Sequence, residues 1–142
     1  MGCDIHVHIE YKINGEWHHY AAPSVERWYD LFSIMAGVRG QFDPIVPPRG
    51  VPHDATFFTK WEYEYCGTDA HNASYLIDDE IIQLEKWITK QSLQSDRFID
   101  MEHTVFHTYI AGHSLTAFLK YDDAEYAPAG TESVRIVFWF DN

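Results

Sequence analysis

Asp4-Ile5-His6-Val7-His8-Ile9-Glu10-Tyr11 alternates without a break between two kinds of residue, and that alternation decides the fold. Successive side chains of a strand point to opposite sides, so Ile5, Val7, Ile9 and Tyr11 make one apolar face. Asp4, His6, His8 and Glu10 make the other. A solvated face is ordinarily rich in Lys, Thr and Ser, whereas every even position here is a carboxylate or an imidazole, the groups that bind metals and move protons. Asn14-Gly15 follows, the pair favoured in a two-residue type I′ turn, and Glu16-Trp17-His18-His19-Tyr20 resumes the run. A hairpin closed there sets Glu10 opposite His19, His8 opposite Ala21 and Lys12 opposite Trp17, which adds His19 to the polar face.

Outward from the hairpin, Ser24 reads as the N-cap of a helix on which Trp28, Leu31, Phe32 and Met35 form a buried stripe, ending around Gly37 to Gly40. The stretch from Gly40 to Asp54 carries Pro44, Pro47, Pro48 and Pro52, which exclude regular backbone pairing; it reads as a wall or lid. Phe57 to Tyr65 sets Trp61, Tyr63 and Tyr65 against Lys60, Glu62 and Glu64, the pattern of a half-buried strand. Cys66 to Ser74 reads as a polar turn. From Asp78 or Asp79 to about Leu93, an acidic first turn and the Ile81, Leu84, Ile88 stripe predict a second helix. Met101 to Ile110 fits a helix and a strand equally, Ser114 reads as the cap of a short helix, and Asp122 to Ser133 reads as an acidic loop. Val134 to Asn142 is a nearly continuous apolar run, as in an interior strand. The expected fold is α+β in one domain, 1–142. A mixed or mostly antiparallel sheet would hold the N-terminal hairpin, the strand at 57–65 and the last strand, with two or three helices packed on one face.

The chain of 142 residues is 46 % hydrophobic, enough to bury a core, and carries a formal charge of −12. That charge argues against duplex nucleic acid and anionic membranes as partners. A small anionic ligand such as a nucleotide, held in a local basic pocket, is still allowed. Two cysteines, Cys3 and Cys66, are too few for a disulfide scaffold, and the opening residues lack a cationic-then-apolar leader, so a cytoplasmic location is expected. Met1-Gly2-Cys3 is not read as a lipidation signal, because that pattern wants Ser or Thr where His6 stands.

Asp4, His6, His8 and Glu10 are therefore the candidate catalytic groups. His6 and His8, two residues apart on a strand, can tip toward one divalent ion, zinc or manganese; the plainer alternative is a hydrogen-bonded polar network without metal. Arg39, Arg49 and Lys60 are candidates for gripping an anion, since Arg offers a planar fork to phosphate or carboxylate. His19, His53, His71 and Ser74 complete the candidate binding set. His103 and His107 have helical metal-pair spacing but lack the glutamate of a His-Glu-x-x-His site, and are read as surface residues.

Asp4-Ile5-His6-Val7-His8 resembles the first-strand metal motif of amidohydrolases and of polymerase-and-histidinol-phosphatase-type phosphoesterases, which implies His6 and His8 as ligands. A wider resemblance is to a family of short bacterial and phage proteins that brings no established activity. It is carried by Met1 to His6 with Glu10, by Trp28 to Phe32 and Ala36 to Arg39, by Pro48-Arg49-Gly50 with Pro52 and Asp54, by His71 with Ser74, and by Val134 to Asn142. It implies that these segments meet at one site, in a setting of phage counter-defence in the host cytoplasm. The expected function is a small metal-assisted hydrolase of a phosphoester or nucleotide. The alternatives are a protein that sequesters a nucleotide signal without cutting it and a protein inhibitor of a host partner.

Overall fold

The computed structural model describes residues 2–25, 27–94 and 130–142. The expectations over 101–110, at Ser114 and over most of Asp122 to Ser133 lie outside them. The described residues form one antiparallel sheet in the order β2-β1-β4-β3, from β1 (Asp4–Ile13), β2 (Glu16–Ala21), β3 (His71–Ile77) and β4 (Ser133–Asp141). Three helices accompany it: α1 (Tyr29–Ala36), α2 (Phe57–Cys66) and α3 (Asp79–Gln94). The fold is α+β with an N-terminal hairpin.

Asn14 and Gly15 take φ of 51° and 78°, as a type I′ turn requires. Glu10 pairs with His19 and Lys12 with Trp17. One expected pairing is corrected: a bulge between Ile9 and Glu10 sets Ile9, not His8, opposite Ala21. Such a bulge re-aims side chains locally. β4 is interior, paired along its whole length with β1 and on its other side with β3, and Val134 to Phe140 are all buried.

Ile5, Val7 and Ile9 share the core with Ile136, Phe138, Phe140 and Leu76, under Leu31, Phe32 and Met35 of α1 and Ile81, Leu84 and Ile88 of α3. Both helices thus pack on the apolar face of the sheet. α1 ends at Gly37 (φ 73°), whose N–H returns to the Ser33 carbonyl. It begins at Tyr29, later than the Ser24 cap implied, and Arg27 on the connector pairs with Asp4 at 2.7 Å.

The segment expected as a strand at 57–65 is the helix α2. Its side chains toward the sheet are Thr59, Glu62, Tyr63 and Cys66, which recur at i, i+3, i+4 and i+7. The outward side chains are Phe57, Trp61 and Tyr65, at 81, 52 and 80 % exposure, while Phe58 packs its ring on those of His8 and His19. Hydrophobicity therefore tracks the outside of this helix, because the sheet face beneath it is polar. β3 takes the place of the missing strand, beginning where a turn was expected. A left-handed Asn72 (φ 53°) and a bulge between His71 and Ser74 interrupt its alternation.

What holds α2 against the sheet is a buried ion pair between two directly opposed residues, Glu10 and Arg135. Glu10 is fully buried and Arg135 is 3 % exposed. Arg135 Nε donates to Glu10 Oε1 at 2.7 Å, and its Nη1 and Nη2 donate to the Asp54 carboxylate and carbonyl at 2.7 and 3.1 Å. Glu10 Oε2 accepts the Thr56 N–H, the Thr56 hydroxyl and the Thr59 hydroxyl at 2.9, 2.6 and 2.7 Å, so the acid sits at the start of α2, where the helix dipole favours it. Trp17 covers the guanidinium at 3.8 Å. Burial alone would raise the pKa of Glu10, but the hydrogen bonds from Thr56, Thr59 and Arg135 outweigh it and hold the carboxyl below its usual range. We expect Arg135→Ala, which leaves that carboxylate buried and unpaired, to cost about 3–5 kcal/mol in a urea unfolding titration. Lys60→Ala on the exposed side of the chain should stay within about 0.5 kcal/mol.

Candidate functional site

β1 presents Asp4, His6, His8 and Glu10 on its second face, and the register brings Asp141, Trp139 and Val137 of β4 beside the first three. α2 crosses this face, so the site is a wedge between sheet and helix. His6 is its hub. His6 Nδ1 lies 3.1 Å from Glu62 Oε1, and His6 Nε2 lies 2.5 Å from Asp141 Oδ2. Cys66 Sγ is 4.0 Å from the same Nε2 and accepts the Trp139 indole N–H at 3.4 Å. The Trp139 ring stacks on both His6 and His8, fixing the two imidazoles roughly parallel to it.

His8 is fully buried, with Nδ1 2.9 Å from His19 Nε2. Its Nε2 lies 3.4 Å from Glu62 Oε1 in an alignment that makes no hydrogen bond, and it has no partner among the described residues. Burial holds the imidazoles of His8 and His19 below the usual histidine range, for His8 against the opposing pull of Glu62. The pair is thus neutral near pH 7, one ring donating to the other.

Two clefts border the hub. One, of about 600 Å³, is lined by His6, Trp61, Glu62, Tyr65, Cys66, Asp69 and Asp141. The other, of about 410 Å³, lies between Asp4, His6, Glu62 and Asp141 and the connector from Ala22 to Val25. Among the described residues, no lysine or arginine lines either cleft.

Of the residues singled out by sequence, His6, His8, Glu10 and His19 meet on one face. Asp4 stands at its edge, where the hydrogen bond from Arg27 holds its carboxyl below the usual range. Glu10, however, is sealed under α2 in the ion pair with Arg135. Arg49 lies elsewhere: its guanidinium grips Glu80 and the Tyr75 carbonyl and stacks on the Tyr75 ring at 4.0 Å. With Gly50 N–H on the Ala73 carbonyl, it binds the proline-rich loop along the outer edge of β3. Ser74 is buried and accepts the Arg49 N–H. Arg39, left-handed at φ 61°, sits over Tyr29 at 5.7 Å. His53 is exposed, and His71 contacts Asn72 and Asn142. None of these five lines either cleft.

Glu62, Cys66, Asp141 and Arg135 are the site and support residues that sequence reasoning missed. The helical spacing of Thr59, Glu62, Tyr63 and Cys66 carried the signal for the first two. Asp141 and Arg135 share one face of β4, but only the register with β1 shows what they meet.

No protein-family model, curated protein or solved structure matches this chain.

The donors of His6, Cys66 and Asp141 lie within 4.8 Å of one another, a set able to hold one metal ion. A neutral imidazole has one donor nitrogen and one acceptor nitrogen. With a carboxylate at each nitrogen of His6, a neutral ring sets one lone pair against an anion, and a cation between them relieves that opposition. The pH behaviour of the buried pair follows from sign alone. The unfolded chain binds more protons than the folded one once pH falls below the free histidine value of about 6.5. Stability should therefore be full above that pH and decline below it, and His8→Gln should flatten the decline in denaturant midpoints measured between about pH 7.5 and 5.5.

Proposed function

We propose that the protein is a small metal-assisted hydrolase of a phosphoester or nucleotide, with His6, Asp141 and Cys66 as ligands and His8 behind them. The observation that carries this reading is the His6 ring flanked by two carboxylates with a thiol alongside, in a cleft whose described lining residues include no lysine or arginine. The combination of imidazole, carboxylate and thiolate suits zinc better than manganese, because the soft sulfur ligand disfavours the harder ion. Such an ion polarises a phosphoryl oxygen and makes a bound water acidic.

The chain's own groups have separate tasks. Glu62, bordering both clefts, accepts the proton of an attacking water. Trp139 orients the His6 and His8 rings and donates to the Cys66 sulfur. His8 Nε2, fully buried, faces Glu62 Oε1 at 3.4 Å and helps position that carboxylate. A bare Cys66 nucleophile is a weaker reading, because its Sγ lies 4.0 Å from His6 Nε2, beyond the reach of a general base. Since neither Arg39 nor Arg49 lines the cleft, an anionic phosphate would be held through the ion. Phage counter-defence in a host cytoplasm is the setting we favour.

The test is to incubate the protein with a nucleotide panel, with and without zinc, denature it and identify what is released. Hydrolysed product that needs zinc, and that Asp141→Asn removes together with at least about tenfold in zinc affinity, is the expected result. Ligand released intact would favour sequestration, and no ligand at all would favour inhibition of a protein partner through the acidic surface.

A further inference from the structure

The larger cleft has two kinds of wall. One is aromatic: the Trp61 and Tyr65 rings lie parallel, 5.6 Å between centroids with planes 16° apart, and are 52 and 80 % exposed. The other is acidic: Glu62, Asp69 and Asp141. Asp69 has no ion-pair partner among the described residues. Glu62 Oε1 contacts His6 Nδ1 at 3.1 Å and the neutral, buried His8 Nε2 at 3.4 Å, and no lysine or arginine among the described residues pairs with it.

Trp61 stacks between Tyr65 and Phe58, and the exposed aromatic surface that remains lies beside carboxylates, a combination that selects a type of ligand. An aromatic face attracts a cation through its quadrupole, and nearby carboxylates add Coulombic attraction while repelling an anion. A nucleobase could stack on the same rings, but its phosphate would then lie among three carboxylates with no arginine or lysine among the described lining residues to offset them. A bare metal ion would use the His6, Cys66 and Asp141 donors and leave the aromatic wall unused. The ligand that uses both walls is an organic cation.

We propose that the cleft between Trp61, Tyr65 and Asp69 is a binding site for an organic cation, an ammonium or guanidinium group. It seats against the exposed aromatic surface of Tyr65 and Trp61, with Asp69 and Glu62 as counter-charges. The site goes beyond the hydrolase reading and stands without a metal. Where that reading also holds, the substrate class narrows, resting on it, to phosphoesters that carry a positively charged group as well as a phosphate.

The experiment uses the whole protein freed of metal by a chelator, so that its outcome is separate from that of the hydrolysis assay. Indole N–H signals are followed by NMR during titration with tetramethylammonium, with N-acetyl-arginine amide and with AMP, at constant ionic strength. The signal that Trp61→Ala removes identifies Trp61. We expect that signal to shift saturably with a cation and not with AMP. Tyr65→Ala and Asp69→Asn should each weaken binding by about fivefold. The Trp61, Tyr65 and Asp69 side chains lie on the exposed side of α2 or just beyond it, so the variants should keep the wild-type circular-dichroism spectrum. A response to tetramethylammonium points to a small ligand, and one confined to the arginine amide points to a basic side chain of a partner. No saturable shift with either cation, equal affinity in Asp69→Asn, or a Trp61 shift with AMP alone would overturn the proposal.

Discussion

A carboxylate and a guanidinium facing each other inside a sheet set the terms for the rest of this molecule. Glu10 and Arg135 are cross-strand neighbours on a face that an ordinary two-layer fold would leave to water. Here they are buried, and buried charges are tolerated only when their hydrogen-bonding capacity is met. Asp54, Thr56 and Thr59 meet it. Those residues are the end of the proline-rich loop and the start of α2, so satisfying the pair also fixes where the helix begins and which side it turns down.

The consequences run along the helix. With Thr59 on Glu10, the next inward positions are Glu62, Tyr63 and Cys66, which fall over His8, His6 and Trp139. The cluster of imidazole, carboxylate and thiol therefore follows from one structural anchor about two helical turns away. The same geometry turns Phe57, Trp61 and Tyr65 outward, because the polar stripe has taken the inward side. An acidic, aromatic-walled cleft at the C-terminal end of α2 is the result.

How far this could be read from the sequence depended on which face a segment answers to. The hairpin and the interior last strand were legible because their apolar sides meet the main core, where hydrophobic burial dominates. The α3 stripe of Ile81, Leu84 and Ile88 was legible for the same reason. α2 was not, since its inward face answers to buried charge and its aromatic residues alternate plausibly as a strand. β3 was hidden by the left-handed Asn72 and the bulge beside it. At the site, the ligand-type residues of β1 were visible as a pattern, whereas Glu62, Cys66 and Asp141 required the helix and the β1–β4 register. Arg49 shows the converse case: its side chain has the chemistry of an anion clamp, yet Glu80 and the Tyr75 carbonyl occupy it.

The central claim is that the Glu10–Arg135 pair, and not the exposed aromatic side, holds α2 on the sheet. Native-state hydrogen exchange of Glu10→Gln, compared with the wild type, tests it most directly. The α2 amides from Lys60 to Cys66 should lose protection while the β1–β4 ladder around Val7 and Phe138 keeps its own. Unchanged protection in α2, or an equal loss in both, would contradict it.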